Sequence, residues 1–230
     1  MMKEDRLNIV LRAIGVILLY FVVSYLCVLL PLVFRINYYN LSNTAKTIYL
    51  IIYDVLTAIL MIYIYKKEFI IGFKDYIKNI NKYLDYIWTW ILSLIAMIIS
   101  DIIIVNFTVN EVATNQQAAI EELHMFPAYL IISACITAPI IEEIVFRLSI
   151  RKIINNKTLF IIVSGFVFGL LHVIFSYTNI TDFLYIIPYS IPGFAFAYIL
   201  AKEDNICISI SLHMLHNTIM LIFQIIALLK

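Results

Sequence analysis

The sequence predicts an all-α, polytopic transmembrane bundle, and three observations carry that prediction. The chain has 230 residues, of which 63% are hydrophobic. Its mean hydropathy is +0.98, more apolar surface than a water-soluble protein of this size needs. Apolar stretches of about 20 residues, each long enough to cross the hydrocarbon core, recur along the whole length. Finally, runs such as residues 14–30 do not alternate polar with apolar residues, as a transmembrane β-barrel strand would.

Seven spans are expected, at residues 9–34, 47–65, 87–107, 125–148, 159–176, 183–201 and 206–229. The first apolar run is far longer than a signal-peptide core of about 7–15 residues, so it reads as a retained span. Positive charge tests the count. Lys3, Arg6, Lys66, Lys67, Lys74, Lys78, Lys82, Arg151, Lys152, Lys157 and Lys202 fall on one side of such a bundle. The other side has Arg35, Lys46 and Lys230. By the positive-inside rule this puts the N-terminus in the cytoplasm. Residues 70–86 mix apolar groups with lysine and are expected to form an amphipathic helix on the cytoplasmic leaflet. The chain reads as a multi-pass protein of the cell membrane. It is one membrane domain over 1–230, with N-terminal spans and the amphipathic segment in 1–124 and the chemistry-bearing spans in 125–230.

The net charge of +1 says nothing about nucleic acid, but no basic block with interleaved aromatics lies outside the apolar segments, so no nucleic-acid partner is expected. Cys27, Cys135 and Cys207 lie in or beside apolar segments, without zinc-finger spacing, and read as small packing residues.

Chemistry is suggested by polar islands in the late spans, because ionisable groups in hydrocarbon are costly and usually functional. The fourth span carries Glu142, Glu143 and Arg147. Adjacent helical residues point about 100° apart, so the two acids serve different roles. Glu143 and Arg147, four apart, share a face and can pair, which leaves Glu142 to face elsewhere. Pro139 favours a kink just before the acids. The fifth span carries Phe168 and His172 on one face, with Gly165 and Gly169 forming a small-residue face for close helix approach. The seventh carries His213 and Asn217 on one face, with His216 partly sharing it. Helical rise puts Glu142 and His213 both roughly 10 Å deep, and His172 deeper. Pro188 and Pro192 interrupt the sixth span, read as shaping its packing. Asp54 and Asp101, in the second and third spans, are expected to pair with Arg12.

Several membrane-protease signatures are missing: His-Glu-x-x-His, a Gly-x-Gly-Asp motif and a Gly-x-Ser motif. The motifs that are present, Glu-Glu-x-x-x-Arg at 142–147, Phe-x-x-x-His at 168–172 and His-x-x-x-Asn at 213–217, resemble in order those of the CPBP intramembrane proteases. That family is also called Abi, or the type II CAAX prenyl endopeptidases. The resemblance covers residues 125–229 and implies a peptide hydrolase. Glu142 with His172 would activate a water, His213 with Asn217 would steady an oxyanion, and Glu143 with Arg147 would orient the helix; Phe168 supports His172. It implies a peptide or lipidated-protein substrate in the membrane, such as a peptide pheromone or bacteriocin precursor. It leaves the cofactor open between a metal-free site, which we favour, and a zinc site made of Glu142, His172 and His213. A non-catalytic scaffold or immunity protein is the alternative reading, with the polar islands as glue between helices. An ion-coupled transporter fits less well, because the early spans show no counterpart to the late ones.

Overall fold

A computed structural model describes residues 5–109 and 112–229; Lys3 and Lys230, counted in the charge pattern above, lie outside them. Among the described residues seven helical segments are long and apolar enough to cross a membrane, as expected. The first three are α1 (Arg6–Val33), α2 (Asn43–Ile64) and α5 (Tyr86–Ile104). Between the last two lie α3 (Lys66–Lys78) and the single turn α4 (Ile80–Tyr83). Helix α6 (Thr114–Met125) leads to the fourth span. That span is composite: α7 (Pro127–Ile132), a π turn (Ser133–Thr137), α8 (Ala138–Glu143), a second π turn (Ile144–Ser149) and α9 (Ile150–Ile153). The bundle ends with α10 (Lys157–Ile174), a 3-10 turn (Ile180–Tyr185) running into α11 (Ile186–Glu203), and α12 (Ile206–Leu228).

Local chemistry sets the ends. Ser42 caps α2 by accepting from the Ala45 N–H, and Asn156 caps α10 by accepting from the Leu159 N–H. Both helices therefore start earlier than hydropathy suggests, because a cap residue and a polar first turn carry no apolar signal. Asp204 ends α11 in the left-handed conformation that Asp tolerates. Asn205 then caps α12 at the Cys207 N–H.

The amphipathic segment is a helix, but it starts at Lys66 and stops at Lys78 rather than covering 70–86. Its Gly72 lies against the α11–α12 turn: Asn205 Nδ2 donates to the Gly72 carbonyl and to Asp75, each at 2.9 Å. Asp75 also accepts from the Tyr83 hydroxyl and from Asn79.

Helix α11 runs through the centre, with Phe196, Ala197, Ile199 and Leu200 buried. It packs most extensively on α10, and glycine makes that possible. A Cβ on Gly165 would fall 2.0 Å from the Phe194 ring, and one on Gly169 would fall 2.2 Å from Ser190 Oγ and 2.6 Å from the Ile186 carbonyl. The small-residue face read from the sequence is therefore the α10–α11 contact. Pro188 and Pro192 are buried in α11, which continues as a helix through Pro192. Leu18, Val22, Ile52, Ile59, Leu92 and Ile99 face outward, as lipid-facing residues should.

The expected pairing of Asp54 and Asp101 with Arg12 is corrected. Arg12 instead pairs with Glu68 at 3.0 Å and lies over the Tyr65 ring. Asp54 is engaged by the fourth span, and Asp101 borders a cavity described below. Helical periodicity places a residue on a face but does not say which neighbour arrives there.

Candidate active site

The fourth span departs from a regular α-helix on both sides of its acidic pair, for a reason legible in the chain. The Ala138 N–H donates to the Ser133 carbonyl, five residues back. In that register the next donor, aimed at the Ala134 carbonyl, would come from Pro139, which has no N–H. The Ala134 carbonyl is left for a partner from elsewhere, and Asn217 Nδ2 on α12 donates to it at 2.9 Å. The kink expected at Pro139 is thus a π turn, a feature that often accompanies functional sites. In the second π turn, the Phe146 carbonyl accepts from Ser164 Oγ at 2.5 Å and the Ile144 carbonyl from Ser149 Oγ at 3.0 Å.

Between the turns, the acids diverge as predicted. Glu143 is fully buried and faces Arg147, with Nε 3.6 Å from Oε1. The guanidinium is also fully buried and lies over the Phe168 ring, 4.1 Å from its centroid. Glu143 Oε1 also meets His213 Nδ1 at 2.9 Å. A carboxylate accepts there, so Nδ1 carries the proton, and Nε2 is turned toward Glu142, whose Oε2 is 3.7 Å away. His213 is wedged between the two carboxylates and stacks on Phe196 at 5.1 Å between ring centroids.

His172 reaches the same region from α10. Its Nδ1 lies 2.9 Å from the Phe168 carbonyl and donates to it, leaving Nε2 as the free nitrogen. Phe168 contacts both imidazoles, at 4.4 Å to His172 and 5.5 Å to His213. Its place in the motif is therefore physical: one ring spaces two histidines and covers the buried arginine. His216 is turned to the third span, where it accepts from Trp90 Nε1 at 3.3 Å.

A cavity of about 410 Å³ opens onto this group, bordered by Phe168, His172, Tyr189, Phe196, His213 and Asn217. Glu142 does not border it, but lines a second cavity of about 280 Å³ with Tyr20, Asp54 and Ser133. The Glu142–His213 gap is where the acid from one cavity meets the imidazole of the other. The resemblance pairs Glu142 with His172; in the structure His213 also faces Glu142, at 3.7 Å. Tyr189, which stacks on His172 at 4.8 Å, and Phe196, which stacks on His213, are not among the expected site residues. Tyr189 lies three residues before Pro192 in a span whose polar content gave no cue.

Among the described residues no three His, Cys, Asp or Glu side chains are grouped so as to hold a metal ion. His213 and His172 each have Nδ1 bonded, to Glu143 and to the Phe168 carbonyl, and Nε2 left over. The Glu142, His172 and His213 set does not form such a group, and no step below is routed through a metal.

Fold and site together define a class: a multi-pass helical membrane protein with a carboxylate–imidazole centre buried among its late spans. The family model described as Type II CAAX prenyl endopeptidase Rce1-like matches residues 124–219. A protein of Bacillus subtilis (strain 168) described as "Putative membrane peptidase YdiL" is 30% identical over 122 residues, which are 52% of this chain and 46% of that protein. The chain thus spans about half the length of that curated relative. No solved structure matches it. The matched residues, 124–219, are similar to the family that the motifs resemble, and they contain all three motifs.

Proposed function

We propose that this chain is an intramembrane endopeptidase that hydrolyses a peptide bond in a membrane-associated peptide or protein tail. The observation that carries this reading is His213, fixed by Glu143 on one side and facing Glu142 on the other, at the junction of two cavities. The family match and the peptidase-named relative support it.

A water beside the Glu142–His213 pair would be oriented by Glu142 and by the free Nε2 of His172. Its oxygen attacks the scissile carbonyl carbon while its proton passes to the Glu142–His213 pair. Carried on His213 Nε2, that proton faces the oxyanion, and the second amide N–H of Asn217 adds a donor. The proton then moves to the amine nitrogen as the C–N bond breaks. Arg147 and Glu143 touch no substrate; they set the orientation of His213. The larger cavity takes the peptide. The excess of Lys and Arg on one side of the bundle supports a cytoplasmic N-terminus and cleavage from the cytoplasmic side. Substrates of this kind include prenylated or otherwise lipidated tails and the precursors of secreted peptide pheromones or bacteriocins.

The test compares membranes from cells expressing the wild type or Glu142→Gln at equal levels, with new protein N-termini counted by mass spectrometry. The reading requires N-termini that vanish in the variant; identical sets in both would overturn it. Such a result would favour the scaffold reading, in which the Asn217–Ala134 and Glu143–His213 bonds simply join helices. Repeating the cleavage with a chelator in detergent decides metal dependence.

A further inference from the structure

We infer that Asp54, on the second span and outside the family-matched segment, is a positioning residue for Glu142. The inference rests on the peptidase reading for its activity arm, but its geometric arm stands alone. Asp54 accepts from Ser133 Oγ at 2.8 Å and from Thr137 Oγ1 at 3.5 Å, the latter at the outer limit of a hydrogen bond. The Tyr129 side chain borders the same cavity as Asp54. Ser133 and Thr137 are the first and last residues of the π turn before Glu142. One carboxylate therefore grips both ends of that turn from α2, while Asn217 fills its open carbonyl from α12.

The grip matters because of what a π turn does to the residues that follow. It takes up one extra residue relative to an α-helix, and one residue corresponds to about 100° of rotation. If the turn relaxed to α geometry, Glu142 would swing by roughly that angle relative to α7 and leave the gap facing His213. Pro139 blocks one hydrogen bond of the relaxed helix but not the others, so the register needs support from neighbouring spans. A second observation points the same way. Asp54 and Glu142 line one cavity, about 280 Å³ in volume, with Tyr20, Ser24, Tyr129 and Ser133. Asp54 thus faces the space from which Glu142 is solvated, not only the helix joint. A carboxylate in a membrane span is costly, and a plain packing joint between α2 and α7 would not need one.

The test uses full-length protein in lipid nanodiscs. In the geometric arm, His213 is observed by imidazole nitrogen NMR. Glu142→Gln should move the His213 resonance in the wild-type background and leave it in place in the Asp54→Ala background, where the two groups no longer face each other. Equal shifts in both backgrounds overturn the proposal, whether or not any substrate is ever cleaved. In the activity arm, with the peptide found by the N-terminus comparison, Asp54→Ala should lower kcat about 10- to 100-fold with KM little changed. Asp54→Asn, which keeps an acceptor oxygen, should restore most of it. Loss confined to KM, or no better activity in Asp54→Asn than in Asp54→Ala, overturns it. Should Asp54→Ala fail to fold, the double variant Ser133→Ala with Thr137→Val removes the same bonds from the other side and must reproduce both effects.

Discussion

The first three spans and the last four solve the membrane problem differently. Only 11% of the apolar window of α1 and 17% of that of α2 are buried against protein, compared with 44% in the fourth span and 56% in the sixth. The early helices are held by few polar contacts, such as the Tyr49 hydroxyl on the Cys27 carbonyl at 2.6 Å. The late ones bury Glu143, Arg147, Ser164, Ser209 and His213. Lipid tails are as apolar as leucine, so hydrophobicity alone gives helices no reason to associate. The late spans are held by tight packing at glycine and by buried polar partners, which also make a reactive centre possible.

The contrast can be broken at its strongest point first. Glu142→Gln should cut cleavage about 10²- to 10⁴-fold, measured as turnover of any peptide identified as a substrate. Stability should barely change, because that carboxylate is 22% exposed and its nearest partner is 3.7 Å away. Arg147→Ala comes next. It leaves Glu143 without its counter-charge at zero exposure, a change that typically costs about 3–5 kcal/mol. The control is Arg12→Ala in the early half, whose partly exposed pair with Glu68 is worth about 1 kcal/mol or less. Equal losses in SDS-induced unfolding would remove the distinction between the two halves. Gly169→Val should cost about 1–3 kcal/mol by overpacking, since even a Cβ meets backbone at 2.6 Å. Gly15→Ala on α1 is its smallest counterpart: a Cβ there meets nothing within 4 Å, and the shift should stay within about 0.5 kcal/mol.

Acid sharpens the picture outside the membrane. The Tyr83 hydroxyl, and after it Asn205, hold the Asp75 carboxyl below its usual range. A depressed folded value means that the contribution to docking α3 is present above the ordinary aspartate pKa of about 3.9 and lost as pH falls through the lower folded value. Amide exchange across residues 66–78 should therefore speed up on acidification below that range, and Asp75→Asn should remove the dependence.

Much of this was open to a reader of the chain. Seven spans followed from length and apolarity, and the Gly165–Gly169 face from spacing. The divergence of Glu142 from Glu143 and the pairing of Glu143 with Arg147 followed from 3.6-residue geometry. The approach of His213 to Glu142 did not. Periodicity assumes a regular helix, and each π turn shifts the phase by one residue. Nor did the links of Asp54 to Ser133 and of Trp90 to His216, which join spans far apart in sequence.

The sequence by itself determined which segments cross the membrane and which of them carry ionisable groups, because hydropathy and composition are sums taken locally along the chain. Only the tertiary structure decided that His213 lies between two carboxylates and that Glu142 borders a different cavity from the histidines. Those facts depend on how each helix is rotated about its axis. That rotation is fixed by contacts between spans, at a proline-induced π turn and a glycine face, not by any property of one span alone.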